Sequence, residues 1–116
     1  RGPATMGDQY PVHRVAAIQA APIFLDRDAS VAKAQGLIAE AGRQGAKLAV
    51  FPETWLPGYP VWFDLAPGSV LWDDPSAKAV HARLVANAVE VPGPAIDGLA
   101  EAAAAAGCAV VMGINE

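Results

Sequence analysis

Lys47 to Trp62 reads KLAVFPETWLPGYPVW, an apolar run that ends in a carboxylate and then in a loop set with prolines. Leu48, Ala49, Val50 and Phe51 follow the turn signal Gly45 and stop at Pro52. An unbroken apolar run between such breakers predicts a short strand buried on both faces, as in a parallel sheet covered by other layers. Glu53 then falls just past the strand's carboxyl end, where side chains of open α/β sheets reach a ligand rather than the core. Pro52, Pro57 and Pro60 each fix φ, and Gly58 permits a reversal, so the loop can hold Glu53, Tyr59 and Trp62 at low entropic cost. The pattern leaves a second reading of Glu53 open, a solvated acid that merely ends a strand.

Upstream, Arg14 to Ala20 reads as a first strand ended by Pro22, and Asp26 or Asp28 can cap the helix that follows. In that helix Val31, Ala34, Ile38 and Ala41 recur at helical spacing with Leu37 beside them, while Lys33, Glu40 and Arg43 fall mostly on the other side. Gly42 and Gly45 are expected to end it and hand over to the Leu48 strand. Strand, helix, strand implies a parallel pair with a right-handed crossover.

Downstream, Asp64 to Pro75 reads as irregular, with Trp72 as a packing residue and Asp73 or Asp74 as a helix cap rather than a metal ligand. A helix over Ser76 to Val89 presents Val80, Leu84 and Ala88 on one face, and His81 within it reads as a surface residue. Val91-Pro92-Gly93-Pro94 is a turn, Ala95 to Ala106 an alanine-rich helix capped by Gly107, and Cys108 to Met112 a third buried strand.

At 116 residues with 53% hydrophobic and 17% charged residues, the chain reads as a globular domain without internal repeats. Net charge is −4 with no basic run, which argues against a nucleic-acid partner. Gly, Pro or charge interrupts every apolar stretch before the roughly 18 residues a membrane span needs, so no membrane association is expected. One cysteine excludes an internal disulfide framework and points to a reducing cytoplasm. No Cys/His cluster has metal-ligand spacing and no glycine cluster forms a phosphate loop, so no cofactor is expected. Residues 1–12 (RGPATMGDQYPV) read as a flexible tail.

Phe51-Pro52-Glu53-Thr54-Trp55-Leu56-Pro57-Gly58-Tyr59-Pro60 resembles the first catalytic motif of the nitrilase branch of the carbon-nitrogen hydrolase superfamily. The flanks agree. Val15 to Pro22 resembles the family's opening strand, Gly45 to Val50 the approach to the glutamate, and Val110 to Glu116 a later strand. The resemblance implies that residues 13–116 are the amino-terminal part of such a domain, an α/β fold forming part of an α-β-β-α sandwich. It implies a Glu-Lys-Cys site in which a cysteine thiolate attacks a nitrile carbon to give a thioimidate, which water converts through a thioester to the acid and ammonia. Glu53 aligns with the general base, expected to lie in a dry pocket formed by the loop, and Tyr59 and Trp62 are candidates for the wall of the substrate pocket.

The other two members do not map onto this chain. Lys47 precedes the motif strand and Lys78 lies on a helix, while Cys108 opens an apolar strand instead of sitting at a sharp strand-to-helix turn, and reads as a small buried thiol. The lysine and cysteine are expected beyond residue 116 or on a second chain. The implied partners are a small organic nitrile and further copies of the protein in a homo-oligomer or spiral. Two alternatives stand beside this reading: a non-catalytic scaffold or assembly module, and a cyanide hydratase or amidase of the same superfamily.

Overall fold

The chain folds around a short parallel sheet. In the computed structural model, which describes residues 7–66, 68, 71 and 73–116, β1 (Val15–Ala17) leads into α1 (Arg27–Arg43) and returns as β2 (Leu48–Val50). A single-turn helix α2 (Trp62–Leu65), then α3 (Pro75–Ala86) and α4 (Pro94–Ala106), precede β3 (Ala109–Val111). The sheet order is β1-β2-β3, all parallel, with Ala16 opposite Ala49 and Ala49 opposite Val110. Trp72 and the first half of the expected tail, residues 1–6, lie outside the described residues. Residues 7–12 are exposed and belong to no helix or strand.

Local chemistry sets each helix boundary. Asp26, one of the two acids offered by the sequence, is the N-cap of α1 and accepts a hydrogen bond from the Ala29 amide at 3.0 Å. Ser30, Ala34, Ile38 and Ala41 form its buried stripe. Gly42 does not end the helix as expected. It lies inside α1, where an added Cβ would stand 2.7 Å from the Ala106 carbonyl oxygen and 2.8 Å from the Ala106 Cβ, so its missing side chain lets α1 and α4 approach. Gln44 is the C-cap instead, and Gly45 follows at φ +84°. Helix α4 opens on Pro94 and closes on Gly107 at φ +61°, the left-handed cap that glycine adopts freely.

Helix α3 begins as expected, with Asp74 as its cap, but it stops at Ala86 rather than continuing to Val89. The Asn87 amide closes the last turn on Arg83 and Leu84, its side-chain oxygen accepts from the Arg27 amide at 3.1 Å, and the Val89 amide donates to Asn115 at 2.7 Å. These tertiary bonds draw the chain out of helical geometry although its apolar pattern continues.

The core sits on one side of the sheet. Ala49 is fully buried and, with Ile38, Ala34, Phe51 and Leu99, forms a cluster to which Ala16 and Val110 add. The other side is open: Val15 is 54% exposed, Val50 37% and Val111 56%. The expectation that the Leu48 strand is buried on both faces is therefore corrected, because α1 and α4 cover one face and no described residue closes the other.

Candidate functional site

Three segments meet at the carboxyl end of the sheet: the chain after β1, the loop after β2, and the chain after β3. Central β2 projects its loop between the others. The Phe51 amide donates to Val111 at 2.8 Å, the last rung of the ladder, and the chain then leaves the sheet for Pro52 to Trp55. It rejoins at Leu56, whose amide donates to Gly113 at 3.2 Å and whose carbonyl accepts from the Asn115 amide at 2.9 Å. Residues 52–55 are thus a loop whose two ends are tied to positions only two residues apart on the β3 strand line. Glu53 rides on it.

The loop rests on packed aromatic and apolar side chains. Trp55 is 2% exposed, meets Phe51 edge-on at 5.0 Å, and donates its indole N–H to the Ala20 carbonyl at 2.7 Å, which fastens the loop to the segment after β1. A second tie runs from the Leu25 amide to the Pro57 carbonyl at 3.1 Å. Leu56, Pro57 and Gly58 are buried. Gly58, at φ +152°, lies under the Phe24 ring, whose Cδ2 would be 2.6 Å from an added Cβ. Thr54 adopts φ +44°, a left-handed conformation that β-branched residues rarely take, and its buried hydroxyl has no partner among the described residues.

Glu53 itself is exposed. The dry pocket expected around it is not formed by the loop, because the loop's apolar side chains turn down into the core and leave the carboxylate above them. Tyr59 is also exposed, at 47%, and makes no ring pair among the described residues. Trp62 is half-buried in α2, between Phe24 at 6.0 Å and Phe63 at 5.6 Å. Glu53 and Tyr59 are thus exposed on the same loop, whereas Trp62 belongs to an aromatic group with Phe24 and Phe63. That group and the Gly113–Asn115 contact escaped the sequence reading. A glycine at the end of an apolar strand is the signal that marks the second, since it often records a close approach of another backbone.

The other candidates lie elsewhere. Cys108 is 4% exposed at the amino end of β3, and Lys47 stands at the amino end of β2. A strand's length, about 10 Å at roughly 3.3 Å per residue, separates both from Glu53. Lys78 pairs with Asp73 on the exposed side of α3, and His81 is exposed. Among the described residues no three His, Cys, Asp or Glu side chains gather to hold a metal, and no helix is long and apolar enough to cross a membrane.

The family model described as "Carbon-nitrogen hydrolase" matches residues 14–116. Over 98 residues the chain is 52% identical to "Nitrilase 2" from an unknown prokaryotic organism, covering 84% of this chain and 29% of that protein. It is 39% identical to an "Arylacetonitrilase" of Aspergillus oryzae over 89% of this chain and 28% of the relative, and 40% identical to a "Nitrilase" of Bacillus sp. over 80% and 26%. The chain therefore spans less than a third of the length of these relatives.

Proposed function

The chain belongs to the carbon-nitrogen hydrolase family, and from that premise we propose that it supplies the general base of a nitrilase that hydrolyses organic nitriles to carboxylic acids and ammonia. The observation that carries this reading is the setting of Glu53. It stands on a loop at the carboxyl end of the central strand, exposed, while the hydrogen bonds at Phe51 and Leu56 hold its backbone to β3.

In the proposed reaction Glu53 takes the proton of a cysteine thiol, and the thiolate adds to the nitrile carbon to form a thioimidate. Glu53 then activates the water that expels ammonia, and again the water that cleaves the resulting thioester to free the acid. A lysine ammonium stabilises the charge on the tetrahedral intermediates. Lys47 and Cys108 face the wrong end of the sheet, so the lysine and cysteine come from residues outside this chain. Tyr59 and Trp62 line the substrate side of the rim, and no cofactor takes part.

The open sheet face supports the same reading. Val15, Val50 and Val111 present an apolar surface that a second sheet would cover, so that residues 13–116 form the first portion of an α-β-β-α sandwich. Cover over the rim would also supply the dry surroundings that Glu53 lacks here. We place the enzyme in the cytoplasm as a homo-oligomer.

The test is nitrile turnover by the full-length polypeptide carrying Glu53→Gln, which keeps size and polarity but cannot accept the proton. A loss of about 10²- to 10⁴-fold in kcat is expected for a general base. Undiminished turnover defeats the assignment. Product analysis separates nitrilase from hydratase, since only the former yields acid and ammonia.

A further inference from the structure

We propose that the segment Gly113 to Asn115 is the positioning element for Glu53, and that Gly113 lacks a side chain because the backbone of Glu53 lies where one would be. The inference rests on the reading of Glu53 as general base.

Gly113 is in the crowded part of the site. A Cβ built on it would stand 2.8 Å from the Glu53 Cα and 2.8 Å from the Pro52 carbonyl oxygen, and closer still to the Thr54 amide nitrogen. All three are backbone atoms and cannot swing aside as a side-chain tip would. The other glycines of the chain separate the possible reasons for a glycine. Gly45 and Gly107 have left-handed φ values of +84° and +61°, and their added Cβ atoms would meet nothing closer than 3.8 Å. Gly113 is absent from the positive-φ residues, so its conformation is open to any amino acid. Space alone requires glycine there, and the space is taken by the turn that carries Glu53.

The rest of the segment completes the hold. The Gly113 carbonyl and the Asn115 amide bracket Leu56 with two hydrogen bonds, and the Asn115 side-chain amide donates to the Gly58 carbonyl at 3.3 Å. Asn115 is itself fixed from behind, because its carbonyl accepts from the buried Val89 at 2.7 Å. The contact therefore sets the height of the Glu53 Cα above the sheet, and the bonds to Leu56 and Gly58 set where the loop returns. Thr54, held at φ +44°, shows that the turn is constrained rather than relaxed.

The experiment uses the full-length polypeptide with a nitrile that it turns over, comparing Gly113→Ala, Asn115→Ala and Glu53→Gln. Gly113→Ala must lift the Glu53 backbone, and a displacement near an ångström lowers kcat about 100-fold while KM stays within roughly threefold. Asn115→Ala loosens the loop's return without a clash, and a smaller fall in kcat with the same split from KM is expected. If Gly113→Ala does not fold, Asn115→Ala decides. A soluble Gly113→Ala or Asn115→Ala enzyme with unchanged kcat overturns the proposal. So does a fall in kcat matched by an equal-fold rise in KM, which would mark a general structural role only. Full activity in Glu53→Gln overturns the base assignment first, whereas an inactive Glu53→Gln beside an unimpaired Gly113→Ala overturns only the positioning role.

Discussion

The two faces of the sheet are built from the same kind of residue and come to opposite ends. On one face Ala16, Ala49 and Val110 meet α1 and α4 and join the core, with Ala49 fully buried. On the other, Val15, Val50 and Val111 remain between 37% and 56% exposed. Ala16 and Ala49 on the covered face let the helices settle close to the strands, while Val15, Val50 and Val111 on the open face stay partly bare. The helix face is finished within these residues; the valine face is covered by no described residue, and in the proposed sandwich it is the face that a second sheet would meet.

Truncation of one side chain on each face sharpens that contrast most. Ile38 is wholly buried at the centre of the α1 stripe, and Ile38→Ala is expected to cost about 2–5 kcal/mol through lost burial and the cavity left behind. Val111→Ala on the open face should cost this 116-residue chain no more than about 0.5 kcal/mol, in the range of surface substitutions. Urea unfolding of both variants measures the difference. In the proposed sandwich the same Val111→Ala, made in a longer polypeptide that supplies the second sheet, should cost more, and equal small costs in both settings would break the proposal that this face is a buried one.

Next in size come two glycines of one helix. Gly42 faces Ala106, so Gly42→Ala forces α1 and α4 apart and is expected to cost about 1–3 kcal/mol. Gly36 is exposed with nothing within 4 Å of an added Cβ, and Gly36→Ala should stabilise by about 0.5–1 kcal/mol because alanine loses less freedom in a helix. Thermal melts of the two should move in opposite directions; a shared direction would show that the helix pair yields where the distances say it is rigid.

How far the sequence carries these distinctions differs from residue to residue. The helix stripe, the parallel pair, the Asp26 and Asp74 caps and the Gly107 terminus all rest on local rules, and all are seen. Gly42 and Gly113 were legible as glycines but not by role, because what excludes a Cβ there is backbone more than fifty residues distant in sequence. The end of α3 depended on Asn87 and Val89 finding partners on Arg27 and Asn115, which no local pattern announces. The loop of Glu53 was evident from its prolines, whereas its exposure was not, since apolar neighbours in sequence turned down into the core and left the carboxylate above.

The smallest expected effect lies at the exposed end of α1. Glu40 accepts hydrogen bonds from Gln44 and from Arg43, and these bonds, with the attraction of the Arg43 guanidinium, hold its carboxyl below the ordinary carboxylate range. A folded-state pKa lower than the unfolded one means that the contribution is present above the unfolded value and is lost as pH falls through the folded one. The stability difference between the protein and its Glu40→Gln variant should therefore be visible near neutral pH and vanish in acid below that range. Glu40 is exposed, so the pair is screened and molar salt should erase most of the difference at neutral pH. A difference that persisted in salt would place Glu40 in a covered environment, and α1 would then be buried on its outer side as well as against the sheet.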